Sequence, residues 1–505
     1  MLAKIHSGTL VGLEGELVIV EADIAANGLP AFNIVGLADR AVEEARERVR
    51  SAIRNSGGDF PAKRITINLA PADLPKEGPL FDLAIAVGIL IGSGQLKTDL
   101  SDAVLVGELS LDGSLRSTQG VLAMALMAKK RGLKRLMVPE ANSKEAGLVR
   151  GIDVYGFTNI QEVVGYLSGQ IEKIAVTPTE IDINSQSTYE YDFSHIRGQE
   201  QAKRALEIAA AGGHNVLMSG MPGSGKTLLA RTFPSILPAL TWDEALEVTQ
   251  LYSSLGLLPS DQSLMLHRPI RSPHHSASHV GIIGGGVNAR PGDVSLAHRG
   301  VLFLDELPEF PRQVLEALRQ PLEDRQVTIS RAAGRLTYPA QFILLAAQNP
   351  CPCGYFGSVT QNCSCSSSQI MKYQKKISGP LLDRIDIHLQ VAAVDTSSLI
   401  NAQSAEDSFT VRQRVILARQ KQQQRFSGSK VKLNVEMTNQ MVKQYCQLDQ
   451  AATDLLAGAI ERLNLSARAY FRILKVARTI ADLSDQEDIN SDHLAEALQY
   501  RGREH

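Results

Sequence analysis

The segment NVLMSGMPGSGKTLLARTF, Asn215–Phe233, is the clearest indication of the fold in this sequence. It starts with an apolar run of strand length and ends with a helical pattern, and between them GMPGSGKT matches G-x-x-x-x-G-K-[ST]. In a strand–loop–helix context, glycine backbone N–H groups and the N-terminus of a helix surround a phosphate. The sequence therefore predicts an α/β fold with a nucleotide phosphate site.

Each residue of this loop belongs to the predicted site. We expect Lys226 to reach the β- and γ-phosphates and the Thr227 hydroxyl to bind Mg²⁺. The loop residues are Gly220, Met221, Pro222, Gly223, Ser224, Gly225, Lys226 and Thr227. ATP and Mg²⁺ are thus the predicted cofactors.

Two further apolar runs end in polar side chains suited to phosphate chemistry. VLFLDE, Val301–Glu306, predicts a buried parallel strand with two acids at its carboxyl end, the edge at which open α/β sheets bind ligands. Asp305 is predicted to bind Mg²⁺ and Glu306 to polarise the attacking water. FILLAAQNP, Phe342–Pro350, ends in Asn349, whose amide is predicted to hold the same water; the alternative is an ordinary turn residue.

The 505-residue chain is long enough for about three domains at roughly 150 residues each. Residues 1–170 alternate strand and helix patterns, 171–192 are a polar linker, 193–394 form a second α/β region, and 395–505 show helical periodicity. Predicted strands include Gly15–Ile24, Arg64–Ala70 and Lys134–Pro139; predicted helices include Phe81–Ile91, Val121–Lys130 and Ile160–Leu167.

Composition excludes several classes of protein. The 44% hydrophobic and 21% charged content argues against a disordered or fibrous chain. No apolar run reaches the roughly 18 residues needed to cross a bilayer, and the N-terminus lacks a signal-peptide core, so a cytoplasmic protein is expected. The net charge of −2 does not indicate a purely electrostatic nucleic-acid binder, although a local basic patch remains compatible with it.

Four of the five cysteines form the pattern C-P-C-x₉-C-S-C: Cys351, Cys353, Cys363 and Cys365. Two chelating pairs predict a tetrahedral thiolate Zn²⁺ site that fixes the loop after Asn349. Reduced cysteines without a metal, or a redox disulfide, are the alternatives. Three histidines, His274, His275 and His279, suggest a metal less strongly, because no fourth ligand has convincing spacing.

The three phosphate-site motifs, in this order, resemble those of AAA+ ATPases. GPLLDRIDIH, Gly379–His388, resembles the segment that carries the arginine finger in the magnesium-chelatase and MCM branch, which makes Arg384 the finger. An ion pair with Asp383 or Asp386 is the alternative. Leu465–Leu483 resembles the sensor-2 helix, with Arg468 directed at a γ-phosphate. The resemblance implies a ring, with a homohexamer expected, in which an arginine acts on a neighbouring subunit's nucleotide.

The N-terminal region resembles the Lon proteolytic domain at Val106–Asn142 and Pro75–Leu90. At the places of the Lon serine and lysine stand Leu80 and Leu122, and leucine cannot form an acyl-enzyme. We therefore expect a non-proteolytic Lon-like domain. Its basic residues suggest either solvated helix faces or a DNA-contacting collar; they are Arg46, Arg48, Arg50, Arg54, Lys129, Lys130 and Arg131.

Two segments are candidates for contact with a substrate. Arg268–Gly300 includes Gly284, which begins a run of three glycines predicted to be a flexible loop. Val327–Ala340 alternates like a β-hairpin, with a turn at Ala333–Gly334 and Arg331 and Arg335 at its tip. Two arginines on a turn suit contact with DNA phosphates; an edge hairpin with solvated arginines is the alternative.

End to end, the chain resembles the ComM/YifB branch of the magnesium-chelatase-like AAA+ ATPases. The resemblance implies a Lon-like N-terminal domain, a P-loop core and a C-terminal helical lid. It also implies a hexameric ATP-driven DNA motor, a helicase or branch-migration factor that acts on single-stranded or branched DNA during natural transformation. A chelatase-type motor that remodels a protein partner, and a regulated protease, are the other classes; Leu80 argues against the protease.

Overall fold

The computed structural model describes residues 2–26, 29–37, 39–177, 189–259, 262–286, 289–331, 334–358, 361–392, 406–463 and 465–501. They form two compact units. The first comprises Met1–Ile183 with Thr241–Leu266, and the second comprises Asn184–Leu240 with His267–His505.

The first unit is a mixed α/β structure around a seven-stranded sheet. Its strands are β1 (Leu2–Val11), β2 (Glu14–Ile24), β3 (Ala31–Val35), β4 (Arg64–Ala70), β5 (Ala103–Leu105), β6 (Glu108–Leu109), β7 (Leu115–Arg116), β8 (Arg135–Pro139) and β9 (Asp153–Phe157). Its helices are α1 (Arg40–Asn55), α2 (Asp82–Gly92), α3 (Val121–Lys130), α4 (Glu140–Ala146) and α5 (Ile160–Leu167).

The strand order of this sheet is β3-β4-β2-β1-β5-β8-β9. Strands β1 and β2 form a long antiparallel pair, whereas β5, β8 and β9 are parallel, as expected where helices connect them. Helix α2 is apolar on all sides and wholly buried except at Ile91, so it is a core helix. The sequence predicted β2, β4, α3 and α5 within one residue, but not β1.

The second unit contains the remaining elements except helix α8, which is described below. Its strands are β10 (Val216–Gly220), β11 (Ile270–Arg271), β12 (Gly284–Gly285), β13 (Arg290–Pro291), β14 (Val301–Leu304), β15 (Gln326–Arg331), β16 (Gly334–Pro339), β17 (Ile343–Gln348) and β18 (Ile387–Val391). Its helices before residue 400 are α6 (Glu200–Gly212), α7 (Lys226–Thr232), α9 (His279–Ile283), α10 (Asp293–Leu296), α11 (Arg312–Ala317), α12 (Arg319–Asp324), α13 (Ser367–Gln374) and α14 (Gly379–Leu382).

The C-terminal part of the second unit is helical, as predicted. It contains α15 (Ser408–Arg425), α16 (Asn439–Tyr445), α17 (Gln450–Leu463), α18 (Ala467–Leu483) and α19 (Ser491–Gln499). Buried residues of α18, including Ala477 and Ile480, share one hydrophobic core with α6 and β10. This core holds the helical part against the strand that leads into the phosphate loop.

The second unit has a five-stranded parallel sheet with the order β11-β14-β17-β10-β18. Strand β10 lies between β17 and β18, and β14 pairs with β17. Because parallel strands end at the same edge, the residues that follow β10, β14 and β17 are brought together. These are the three predicted site segments.

One helix of the ATPase-like region of the sequence belongs to the first unit. Helix α8 (Trp242–Ser254) begins with a capping box formed by Thr241 and Glu244, and Val248 and Leu251 are completely buried. The hydroxyl of Ser253 donates a hydrogen bond to the buried carboxylate of Glu145. Residues 241–266 are thus part of the N-terminal fold, although they lie inside the predicted range 193–394.

The glycine run at Gly284 is not the flexible loop that was expected. Gly284 and Gly285 form β12, which pairs with β13 and is buried. A Cβ on Gly284 would lie 2.8 Å from the Arg290 carbonyl oxygen and 3.0 Å from the Gly292 nitrogen. Gly284 therefore allows close packing between two backbone segments.

A candidate nucleotide site at one edge of the parallel sheet

The phosphate loop runs from the end of β10 to the start of α7, as predicted. The ammonium group of Lys226 donates to the carbonyl oxygens of Gly220 at 2.8 Å and Met221 at 2.9 Å. It also donates to the Asn349 side-chain oxygen at 3.2 Å. Burial lowers the pKa of Lys226, and the nearby Asp305 and Glu306 carboxylates oppose that shift. The lysine is thus held at the loop by acceptors that an anionic phosphate can replace.

The predicted magnesium ligands are in contact with each other. The Thr227 hydroxyl donates to Asp305 Oδ2 at 2.9 Å. A hydroxyl and a carboxylate oxygen are hard donors of the type that Mg²⁺ prefers, and nothing lies within 4 Å of the position that a Cβ would take on Gly223 or Gly225. The donor set and the open loop therefore fit a magnesium–nucleotide complex.

Glu306 has an unusual backbone for its position after β14. Its φ of 52° and ψ of 47° are left-handed, a conformation that costs a non-glycine residue of order 1 kcal/mol or more. Its side chain is half exposed, and Glu306 Oε2 lies 3.5 Å from His275 Nδ1. The chain thus tolerates local strain in order to present this carboxylate at the sheet edge.

His275 lies beside Glu306 at the nucleotide site, whereas the sequence suggested it only as a metal ligand. Its ring stacks on His274 with centroids 4.0 Å apart and meets Phe310 edge-on. Among the described residues, the only group of three or more His, Cys, Asp or Glu arranged to hold a metal is the cysteine cluster. The metal interpretation of His274, His275 and His279 therefore has no geometric support in the part of the chain that is described.

The predicted arginine finger, Arg384, and the predicted sensor-2 arginine, Arg468, lie together at an acid that the sequence did not indicate. The Arg384 guanidinium donates to Glu323, and Arg468 Nη2 lies 3.9 Å from the same Glu323 oxygen, Oε1. The hydrogen bond from Arg384 lowers the pKa of Glu323, and Arg468 adds to this effect. The Arg384 guanidinium also donates to the Pro380 carbonyl oxygen, so within one subunit its hydrogen bonds go to Glu323 and Pro380.

The alternative partners of Arg384 are engaged elsewhere. Asp383 pairs with Arg472 at 3.3 Å, and Asp386 lies 3.4 Å from His214. The proposed ion pairs of Arg384 with its sequence neighbours are therefore wrong. The partner, Glu323, is 61 residues away in sequence.

The four clustered cysteines converge as the spacing predicted. Their sulfur atoms all lie within 4.8 Å of one another, and three of the separations are 3.4, 3.6 and 3.7 Å. Four thiolates at about 2.3 Å from one Zn²⁺ would be about 3.8 Å apart, whereas a disulfide requires about 2.05 Å. The cysteines are free thiols in this arrangement. Their geometry fits a tetrahedral metal site.

The candidate DNA hairpin is present as β15 and β16. Ser330 pairs with Arg335, and Arg331 with Gly334. The Arg335 side chain is exposed, whereas Ala333 and the side chain of Arg331 lie outside what the structure describes. An exposed arginine at the end of a two-stranded ribbon is free to contact a phosphate.

The first unit has leucine where a Lon-type dyad would stand. Leu80 is 7% exposed and Leu122 is fully buried. Of the basic residues considered for a DNA-contacting collar, Arg48 is engaged, since it forms a 2.7 Å ion pair with the buried Asp82. Arg48 is therefore a structural residue, and neither the solvated nor the DNA-contacting interpretation describes it.

Taken together, the phosphate loop, the acids after β14 and the polar residue after β17 define a P-loop nucleotide-binding protein of the AAA+ class. Models of the magnesium chelatase subunit ChlI match this chain in three places: residues 192–399, 20–142 and, for its C-terminal part, 405–501. The chain belongs to the ComM/YifB family of magnesium-chelatase-like AAA+ proteins, which implies ATPase activity with ATP and Mg²⁺.

Curated relatives cover nearly the whole chain. Competence protein ComM of Haemophilus influenzae is 44% identical over 510 residues, covering 99% of this chain and 97% of its own. The uncharacterized protein YifB of Escherichia coli is 43% identical with the same coverage. Lon protease 2 of Bacillus subtilis is 26% identical over 194 residues, 34% of each chain. These matches confirm the family and the Lon-like homology predicted from sequence.

Every helix among the described residues is too short or too polar to cross a lipid bilayer.

Proposed function

We propose that this protein is an ATP-driven ring motor that moves along DNA and acts in the recombination of incoming DNA during competence. The observation that carries the proposal is the division of the site. Lys226, Asp305 and Asn349 are gathered at one sheet edge, whereas Arg384 and Arg468 meet at Glu323. We infer that a neighbouring copy of the chain supplies the arginine that completes each site, as a closed homohexameric ring would allow.

In this proposal each residue has a separate task. Lys226 binds the β- and γ-phosphates, and Asn349 and Glu306 position and polarise the attacking water. Mg²⁺ held by Thr227 and Asp305 would neutralise charge on the phosphates. Arg384 of a neighbouring subunit, with Arg468, would stabilise the charge that develops in the transition state.

DNA is the proposed substrate for two reasons. The relative from Haemophilus influenzae is named a competence protein, and the resemblance of the whole chain to the ComM/YifB family implies action on DNA. The hairpin of β15 and β16 presents Arg335, and we propose that Arg331 joins it in binding the phosphates of single-stranded or branched DNA. Such interactions neutralise charge without reading sequence.

The test compares ATPase rates without DNA and with single strands, duplex and a four-way junction. We expect stimulation by DNA in the wild type and its loss in Arg331→Ala/Arg335→Ala, with the DNA-free rate retained. The double variant should also reduce the salt dependence of DNA affinity, by about one in slope for each phosphate that is no longer bound. Arg462→Ala, at an exposed arginine of α17, is the control.

A second candidate is a chelatase-type motor that remodels a protein partner, because the matching models are those of a magnesium chelatase subunit. The same assay separates the two functions. An ATPase that no DNA stimulates, with identical DNA affinity in wild type and the double variant, would reject the DNA motor and favour the protein partner.

We also propose that Zn²⁺ is the ion of the cysteine cluster. The support is the separation of the sulfur atoms, which matches a thiolate tetrahedron. Elemental analysis of protein purified under reducing conditions without chelator should find about one zinc per chain. Protein without zinc under these conditions would refute the assignment.

A further inference from the structure

The cysteine cluster is close to the nucleotide site along the chain and in space. Cys351 follows Asn349 by two residues, and Asn349 accepts the hydrogen bond from Lys226. The Gly354 amide donates to the Cys351 carbonyl oxygen at 3.0 Å, which closes a tight turn around Cys353. We call this stretch, Cys351–Gly354, the cysteine turn.

The cysteine turn packs against the phosphate loop through Gly354. Its φ of 88° is left-handed, and a Cβ there would lie 2.5 Å from Pro222 Cγ and 2.6 Å from Pro222 Cδ. Since real side chains do not approach so closely, only glycine allows this packing against Pro222. The segment 349–354 therefore meets the phosphate loop twice, at Lys226 and at Pro222.

The cysteine turn is also held through its thiols, since Cys353 accepts backbone hydrogen bonds from Tyr355 and Ser364. The Phe356 amide donates to Cys351 Sγ at 3.3 Å, and the sequence continues to Cys363 through a stretch without helix or strand among its described residues. A metal ion that joins Cys351 and Cys353 to Cys363 and Cys365 would close this stretch and fix the turn. Because Gly354 packs against Pro222, fixing the turn also restrains the phosphate loop.

We propose that the cysteine turn is a metal-organised clamp on the phosphate loop, so that zinc occupancy sets the affinity for ATP. The inference rests on the proposed zinc site and does not depend on action on DNA. Zinc would have no part in the chemistry of hydrolysis. It acts through the packing of Gly354 on Pro222, which keeps the loop in the conformation that accepts phosphates.

The chain offers a matched pair of variants. Gly357 lies three residues beyond Gly354 with a similar φ of 82°, but nothing lies within 4 Å of the position of its Cβ. Alanine is strained by a positive φ at both positions. Only Gly354→Ala collides with Pro222, while all four thiols remain. The difference between the two variants therefore reports the packing against Pro222 alone.

The experiment measures zinc content first and then the Kd of a slowly hydrolysed fluorescent ATP analogue, with Mg²⁺ present. We expect Gly354→Ala to keep its zinc and bind the analogue roughly tenfold more weakly than Gly357→Ala, as overpacking would predict. Cys351→Ser/Cys363→Ser should lose zinc and weaken binding by a similar factor. Because that variant can fail to fold, far-UV circular dichroism accompanies it, and Gly354→Ala supplies the test that does not depend on it.

The outcomes are separable. Equal Kd values for Gly354→Ala and Gly357→Ala would overturn the clamp. So would a folded cysteine variant that has lost its zinc and binds the analogue like wild type. A wild-type protein that contains no zinc would refute the zinc site itself, and with it the clamp, before any nucleotide is added. None of these results depends on DNA, so failure here is distinct from failure of the DNA motor.

Discussion

The side-chain oxygen of Asn349 accepts a hydrogen bond of 3.2 Å from the ammonium group of Lys226. The two residues are 123 positions apart in sequence and follow neighbouring parallel strands, β17 and β10. The hydrogen bond therefore couples the Asn349 side chain to whatever Lys226 binds. A phosphate that takes over Lys226 also changes the partner of Asn349.

Lys226→Ala and Glu306→Gln should fail in different ways. In the proposed mechanism Lys226 holds phosphates in the ground state, so its removal should abolish nucleotide binding. Glu306 is proposed to act on the water, so Glu306→Gln should bind ATP normally and lose about a hundredfold or more in kcat. Binding of a fluorescent ATP analogue and steady-state turnover make the comparison. Wild-type turnover in Glu306→Gln would refute its role.

His275→Ala should lower kcat with little change in KM, because His275 lies 3.5 Å from Glu306, the residue proposed to act on the water and not on the bound phosphates. We expect a fall of about tenfold, equivalent to one polar interaction of about 1.4 kcal/mol. His275→Gln should recover part of the rate, since glutamine keeps a polar group near the carboxylate. His279→Ala is the control. An unchanged kcat in His275→Ala would show that the interaction has no catalytic consequence.

A mixture of two inactive variants should regain activity if Arg384 acts on a neighbouring subunit. Arg384→Ala keeps its own phosphate loop, and Lys226→Ala keeps its own arginine. In a ring assembled at random from equal amounts, about a quarter of the interfaces would combine an intact loop with an intact arginine. The ATPase rate of the mixture is measured against each variant alone. No recovery in rings shown to be mixed would place Arg384 in its own subunit's site.

The stability of the first unit should depend on pH through Asp82. Burial raises the pKa of Asp82 to about 6, and the ion pair with Arg48 opposes this. In the unfolded chain Asp82 loses its proton near pH 4, whereas in the folded protein it keeps the proton up to about pH 6. The contribution of Asp82 to the free energy of unfolding therefore falls as the pH rises from about 4 to about 6. Relative to wild type, Asp82→Asn should gain up to about 1.4 kcal/mol per pH unit in that window.

Urea unfolding at a series of pH values measures this difference. Asp153→Asn, at an exposed aspartate of the same unit, is the control and should run parallel to wild type. A constant difference between Asp82→Asn and wild type across the window would contradict the raised pKa.

Ser253→Ala should destabilise the first unit by about 1–3 kcal/mol, because it leaves the buried Glu145 carboxylate short of a hydrogen-bond donor. Burial raises the pKa of Glu145, and the Ser253 hydroxyl is the largest opposing influence. The neighbouring Ser254→Ala is the control, since the Ser254 hydroxyl donates to the Leu251 carbonyl oxygen of its own helix. Thermal unfolding followed by circular dichroism distinguishes the two variants. Equal midpoints would show that Glu145 does not need this donor.

The parts of the site that sequence could predict are those whose chemistry is local. Val301–Glu306 is an apolar run followed by two acids, and the structure has a strand and two acids there. Glu323 lacks any such pattern, since its meaning comes from two arginines that are 61 and 145 residues away. A local sequence pattern cannot predict an ion pair between residues so far apart in sequence.

Errors in the predicted fold have the same origin. Gly284 lies in a glycine run that suggests a loop, but the backbone of Arg290 packs directly against it. Arg48 lies on a helix whose exposed arginines suggest a charged face, but Asp82, on another helix, pairs with it. In both cases the local sequence pattern indicates one role for the residue, and a tertiary contact gives it a different role.

The position of α8 has a consequence for how the protein can be divided. The chain leaves the second unit after Leu240 and returns at His267, so no single cut separates the two units. A shortened protein that starts at residue 184 would keep α8 without Glu145, and Val248 and Leu251 would lose their buried surroundings. Excision of the ATPase unit therefore also requires a short bridge from residue 240 to residue 267. For the same reason, exchange of the N-terminal unit between relatives would have to carry residues 241–266 with it.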